Sequence, residues 1–428
     1  MVLDIPLQWG THLDLRPDAA SLGAIEGFDC SITTMALCGL YIGWIFGERA
    51  ANRTLRILWN WPIAAYTAVL IASVFVASDT QLSLFQIFLM VEMLFLYIYV
   101  AGVVNSRSEI VSILFLLLAG GLVESVYMLV VAAVGHEFAF VRALGIKTVI
   151  FLPARPGEFT RPGGTIGGPN YAAAYLGILI TLALAIRQMK VPSFLRCLTI
   201  PVITLATLAL AVTFSRGGWL ELLLSVTVLI GARWLRDGIP RKAILIAVAA
   251  ITVIVLCLLV PNPISQRLSA DDNGAAHSRV PLMHLAFRVI AANPVLGVGA
   301  NNFTAVMDDY AGSEFRSEWI YTVHNEFLLV CSETGVIGLA AYLCIYFSII
   351  HRAWRLWKTG DEMFAALGLG IVAGFCGFLS HMFVDIFSDG GLLHLIWIFA
   401  ALIGVCEVIL RCEPVQQSSL RTIEARPR

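Results

Sequence analysis

His324 precedes a long uncharged apolar run and is followed directly by Asn325 and Glu326. A neutral imidazole accepts a proton from a hydroxyl near pH 7, which makes His324 the leading acid–base candidate. The other reading of a lone histidine at such a boundary is a polar anchor. Arg216 lies in Phe214-Ser-Arg-Gly-Gly218, between two apolar runs. Guanidinium forks suit phosphate oxygens bidentately, and a helix starting there would aim its N–H groups the same way. An arginine snorkelling to the interface fits the same position. Arg279 follows Ser278, where a helix start is expected, and can share an anion site with that N-terminus. Arg288 lies nine residues on, on the opposite helical side, where it could equally meet lipid headgroups. Arg161 stands before Gly163, Gly164, Gly167 and Gly168, whose backbone admits close approach by a ligand; a solvated loop charge is the alternative.

The elements that must position these residues are membrane helices. The chain is 59% hydrophobic and 13% charged, with a mean hydropathy of +0.84, which excludes a soluble fold. Eleven apolar blocks without Lys or Arg are each long enough to cross a hydrocarbon layer of about 30 Å. They run over 30–46, 57–77, 82–104, 110–134, 170–186, 197–213, 217–232, 243–260, 327–350, 363–383 and 392–410. The fold class is an all-α polytopic membrane protein of 11–12 spans. Eighteen of the 28 basic residues fall in one set of connections and the tail 411–428, which assigns that side to the cytoplasm. The remaining ten, His324 and two long loops (135–168 and 261–323) face the other side, where chemistry is expected. Residues 1–26 form an outer segment without a signal-peptide pattern, so the first helix is its own insertion signal. The nine cysteines lie in or beside spans, which argues against structural disulfides. Within the second loop, Leu282, Leu285, Ala286, Val289 and Ile290 share one face of a helix that Ser278 and Pro281 would start, lying at the interface or packed on the bundle.

The ordered set of motifs resembles the O-antigen ligase and polymerase superfamily. It comprises Arg161-Pro-Gly-Gly-Thr-Ile-Gly-Gly-Pro-Asn170, Phe214-Ser-Arg-Gly-Gly218, Asn293-Pro-Val-Leu-Gly-Val-Gly299 with Asn302-Phe303, His324-Asn-Glu-Phe-Leu and Glu333-Thr-Gly-Val-Ile-Gly338, over about residues 155–345. Arg216 and Leu220 match the family's Arg-x3-Leu pattern; His324 and Gly335 match its His-x10-Gly pattern. The resemblance implies a bacterial inner-membrane glycosyltransferase with its active site on the periplasmic side. Its donor would be an undecaprenyl-diphosphate-linked glycan and its acceptor lipid A-core or another glycan. The transfer would be inverting and metal-independent, with no cofactor and no nucleic-acid partner. Relatives commonly have twelve spans with the N-terminus inside, whereas eleven spans here put it outside.

On this reading His324 and Arg216 are catalytic, Arg216 and Arg279 clamp the diphosphate, and Arg161 and Arg288 rank behind them. Gly335, about 20° from the face of His324 and three turns deeper, would leave a groove for close helix packing or a polyprenyl chain. Asn325 and Glu326 orient the imidazole or begin the helix. Carboxylates in or beside spans are functional candidates, namely Glu92, Glu124, Glu221, Glu333 and Asp385, with Glu333 placed to position an arginine. His381, Asp385 and Asp389 recur every four residues and suit an acceptor-sugar site better than a metal. Phe303, Tyr310, Phe315, Trp319 and Tyr321 can stack on sugars or form an interfacial belt. Ligase and polymerase share this machinery. The lack of an Arg-x10-Gly spacing in 135–168 favours ligase. A transporter or flippase would predict paired repeats, broken helices and charge at mid-membrane, whereas repeats are absent here and the basic groups sit on the outer rim.

Overall fold

The computed structural model describes residues 2–7, 9–13, 15–46, 60–153, 160–187, 191–237, 275–311, 321–387 and 390–424. Twelve helices matter for the site. They are α1 (Ile32–Phe46), α2 (Trp61–Ser73), α3 (Thr80–Val103), α4 (Arg107–Val134), α5 (Pro169–Arg187) and α6 (Ser193–Val212), then α7 (Arg216–Asp237), α8 (Ala275–Ala292), α9 (Phe303–Tyr310), α10 (Glu326–Trp357), α11 (Glu362–His381) and α12 (Gly390–Glu424). Among the described residues, eight are long and apolar enough to cross a membrane, and α1 and α2 are shorter apolar helices. These ten fall on ten of the eleven predicted blocks; the block 243–260 lies outside the described residues.

Local chemistry sets the helix ends. Ser106 and Glu109 form a reciprocal capping box at α4, which carries that helix three residues ahead of the apolar block. Asp79, Asn325 and Asp361 accept the first free N–H groups of α3, α10 and α11. Centre and periphery then separate by burial. The apolar windows of α5 and α12 are 83% buried and that of α11 78%, against 28% for α7 and 33% for α6, so α5, α11 and α12 form the core and α6 and α7 its lipid-facing flank. Helix α11 packs against α5, α7 and α10.

Among the described residues of the predicted basic connections, Arg107 pairs with Asp361 at 2.5 Å, Arg352 forks onto Glu407 and Arg236 donates to the Trp357 carbonyl, all at one end of the bundle. The opposite end carries two antiparallel hairpins, β1 (Gly10–Leu13) with β2 (Phe28–Ser31) and β3 (Val149–Phe151) with β4 (Arg161–Gly164). The N-terminal hairpin is locked down by buried Asp4, which accepts the N–H and hydroxyl of Thr33 at 2.9 Å each.

Helix α8 starts by Ala275, ahead of the predicted Ser278, and Pro281 lies inside it. Leu282, Leu285, Ala286 and Val289 are fully buried against Phe303, Met307 and Leu329, so this face of the helix packs on the bundle. The eight described cysteines are free thiols.

Candidate functional site

The site end is shaped by a break in α10. Gly335 has φ 68° and ψ −174°, which interrupts the helix one-third of the way along. The Asn293–Asn302 loop fills the break. Val298 and Gly299 donate to the carbonyls of Ser332 and Glu333 at 3.0 and 2.9 Å, and Val336 donates to Pro294 at 2.8 Å. Backbone groups freed by the break are thereby satisfied, as an apolar surrounding demands. A Cβ on Gly335 would lie 2.1 Å from the Val295 oxygen, so the residue must be glycine. The predicted groove at Gly335 is therefore occupied by the protein's own loop. His324 precedes the cap Asn325 and is not helical, so the helical phase that placed Gly335 beneath it does not apply.

Buried carboxylates tie the remaining loops to the bundle. Glu326 accepts Phe387 N–H at 2.8 Å and the Tyr342 hydroxyl at 3.0 Å, which fixes the turn after α11. Glu124 accepts the N–H and hydroxyl of Thr165 at 2.8 and 2.6 Å and pins the loop after β4. Gly164 lies against that carboxylate at φ +68°, where no side chain fits. The space at this glycine thus belongs to Glu124 rather than to a ligand. Glu333 accepts Phe303 N–H at 3.2 Å, a loop contact in place of the predicted arginine. Glu221 and His381 bond at 2.7 Å in the core, and Glu92 accepts the Thr34 hydroxyl at 2.7 Å. Gly217 and Gly218 abut His381 and Ala173, so they serve helix packing.

With α11 ending at His381, the four-residue recurrence stops: His381 turns to Glu221, Asp385 leaves on a turn, and Asp389 lies outside the described residues. Asp385 instead meets a chain of polar contacts across the bundle. Arg161 donates to the Thr213 carbonyl at 2.7 Å and to the Asn170 amide oxygen at 3.0 Å, and the Asn170 amide donates to Asp385. Arg161 thus joins the turn before Arg216 to the carboxylate beside His324.

His324, Asp385, Asn170, Tyr171 and Tyr321 line one cleft of about 580 Å³. The Nδ1 of His324 lies 3.1 Å from the Thr322 carbonyl. A carbonyl only accepts, so Nδ1 carries the proton and Nε2 is the basic nitrogen of the neutral ring. Burial lowers the imidazole pKa below its ordinary value, Arg279 lowers it further, and Asp385 and the Thr322 carbonyl oppose the shift. Asn325 caps α10 through Leu328 N–H and donates to Phe383 O, both at 3.0 Å.

Arg216 is the first, exposed residue of α7, as predicted. Arg279 donates to the Val384 carbonyl at 3.0 Å, and Gly217 packs beside the Val384 side chain. Both arginine positions therefore approach the 382–387 turn. Because α8 begins at Ala275, Arg279 lies within the helix rather than beside its cap. Arg288 is half-buried farther along α8, and none of Arg161, Arg216, Arg279 and Arg288 is among the residues lining the cleft. Of the predicted aromatics, Tyr321 reaches the cleft, with its ring 5.3 Å from that of His324. Phe303 is core, Tyr310 bonds Asn293, and Phe315 and Trp319 lie outside the described residues. Asn170 and Thr322 escaped sequence reasoning as site residues. The Gly-Gly-Pro-Asn turn marked the place of Asn170 but not its partners.

Residues 201–343 match the family model described as O-antigen ligase. A "putative polysaccharide ligase" of Rickettsia prowazekii (strain Madrid E) is 27% identical over 143 residues, covering 32% of this chain and 34% of the relative. Another of the same description from Rickettsia typhi (strain ATCC VR-144 / Wilmington) is 26% identical over 143 residues, with the same coverage. The chain thus spans about a third of the length of the curated relatives it matches. The motifs from Phe214 to Gly338 fall within this stretch, in a multi-pass membrane protein.

Proposed function

We propose that this protein is an inverting glycosyltransferase that moves an undecaprenyl-diphosphate-linked glycan onto an acceptor sugar, of the ligase type that uses lipid A-core. Its site end faces the periplasm from the bacterial inner membrane. The observation that carries the reading is His324 in a polar cleft, with its Nδ1 against the Thr322 carbonyl, which makes Nε2 the basic nitrogen of the neutral ring. The acceptor hydroxyl attacks the anomeric carbon and gives its proton to Nε2. The bond from that carbon to the phosphate oxygen breaks, and its electron pair leaves on the diphosphate. Arg216 and Arg279 offset the charge that develops there, and Arg161 positions Asn170 and Asp385 beside the acceptor.

The test is transfer in membranes from cells carrying His324→Ala or Arg216→Ala. Each variant should insert normally and lose transfer by at least about 100-fold, the usual contribution of a general base or a transition-state charge donor. Lipid-linked polymer should accumulate while lipid A-core stays bare. Single-repeat products would instead identify a polymerase, and full transfer by either variant would remove that residue from the mechanism.

A further inference from the structure

The wall of the cleft facing His324 and Asp385 is formed by residues far from any motif. Ala20, Gly23, Ala24, Ile25, Glu26 and Asp29 line it, and Lys147 stands at the rim with its ammonium 3.2 Å from Glu26. The segment is fastened to the loops that carry the site. Asn301 both donates to the Ile25 carbonyl (3.0 Å) and accepts its N–H (2.8 Å). The Leu22 carbonyl accepts Thr322 N–H at 2.8 Å, and it is the carbonyl of this same Thr322 that holds the Nδ1 proton of His324. Gly23 packs under the Tyr321 ring with no room for a side chain. A segment resting loosely on the surface would not hold the N–H of the residue whose carbonyl orients the imidazole while bonding Asn301 in both directions.

We propose that this N-terminal wall selects the sugar presented to His324, admitting a neutral or amino sugar and rejecting a uronic acid. The inference rests on the transferase reading above and adds the substrate class. The cleft volume falls in the range of small-ligand sites. Tyr171, Tyr321 and Phe151 give it apolar ring faces for the C–H face of a pyranose, while Asn170, Glu26 and Asp29 give hydroxyl partners. Its charge is one-sided. Glu26 is paired with Lys147, which leaves Asp29 and Asp385 as the excess charge of the lining. A sugar carboxylate would meet like charge in a partly desolvated space, whereas hydroxyl or ammonium groups find acceptors. Arg279 stands outside the cleft lining, bonded at Val384, so diphosphate and sugar are met by opposite charges on neighbouring parts of one site.

The experiment measures binding and transfer with the full chain in detergent. It uses a neutral disaccharide and the same disaccharide with a terminal hexuronic acid as acceptor probes. The native protein should prefer the neutral probe by about tenfold or more, equivalent to 1.4 kcal/mol. Glu26→Gln with Asp29→Asn, near-isosteric changes, should narrow that preference several-fold, acting on KM and leaving kcat close to native. Equal discrimination by native and doubly substituted protein overturns the wall as a selector, and so does a fall in kcat at unchanged KM. His324→Ala separates the two readings. If it retains full transfer the catalytic assignment fails, whereas the probe preference in binding still reports on the wall.

Discussion

The two ends of the bundle use their charged residues differently. At the basic end guanidinium meets carboxylate: Arg107 with Asp361, and Arg352 with both oxygens of Glu407 at 3.1 and 3.0 Å. Beside the cleft, Arg161 holds a carbonyl and an amide oxygen and Arg279 holds a carbonyl, whereas farther out at the same end Arg16 forks onto Asp18 and reaches Asp79, and Arg142 pairs with Glu137. The buried acids there take N–H and hydroxyl groups: Glu124 from Thr165, Glu326 from Phe387 and Tyr342, and Glu333 from Phe303. A guanidinium bonded to a neutral dipole keeps its field, whereas one forked onto a carboxylate has most of it cancelled nearby. The difference assigns shape to the buried carboxylates of the site end and gives Arg279, bonded to a neutral carbonyl, a field that can act on an anion.

The largest effect is expected at Glu326. Alanine there leaves Phe387 N–H and the Tyr342 hydroxyl buried without their acceptor, at a cost of about 2–4 kcal/mol for the two groups. It also releases the turn that carries Val384 and Asp385. Glu326→Ala should lower the thermal midpoint of the detergent-solubilised protein and abolish transfer. Glutamine retains one acceptor oxygen and should recover most of the stability. Loss of transfer in Glu326→Gln at native stability would mean that the charge itself acts in the reaction, contrary to a purely shaping role.

How much of this could be read from the chain follows from the range of each interaction. The helices are local objects. Apolar blocks, Ser106 with Glu109, and Asn325 as a cap place their ends within a few residues. Acids inside apolar runs were legible as exceptions, because a carboxylate there must find partners. Their partners were not. Thr165 lies 41 residues from Glu124, and His381 lies 160 residues from Glu221. Asp385 could be picked out, but its placement failed because helical periodicity was extended past the end of α11 at His381. Gly335 misled for a related reason. Its spacing from His324 was read along one continuous helix, while the structure breaks the helix at that glycine and inserts residues 293–302. The N-terminal wall has no local signature, since what makes it part of the site is hydrogen bonding to Asn301 and Thr322 from about 300 residues away.

A smaller effect is expected in the pH profile. His324 titrates below the ordinary imidazole value, so the basic form persists to lower pH than in a free histidine. If transfer needs neutral Nε2, it should hold through pH 6.5 and fall only as pH drops through the lowered value. Stability moves with the same sign: the folded state binds the proton more weakly than the unfolded state, so this group's contribution is complete above 6.5 and declines below it. The neighbours can be separated. Arg279→Met removes a charge that lowers the pKa and should move the acid limb up. Asp385→Asn removes one that raises it and should move the limb down. Shifts of up to about one unit are expected in transfer rates measured between pH 5 and 8. Matching shifts in the same direction for both variants would show that His324 is not the titrating group.

The smallest effect belongs to the basic end and is the control on the whole comparison. Arg352 and Glu407 are each about one-quarter exposed and well aligned, so removing the pair with Arg352→Gln should cost on the order of 1 kcal/mol after solvent screening. The kinetic constants for transfer should not change, because the pair lies at the opposite end of α10 from Glu326 and its partners there are other helix ends. High salt should weaken the native protein toward the variant's stability, since a partly exposed pair is screened while the buried bonds of Glu326 are not. If Arg352→Gln instead lowers kcat as strongly as a site-end substitution, the two ends are coupled through α10 across the break at Gly335. The division between arginines that bind carboxylates and arginines that act on an anion would then no longer describe how this bundle works.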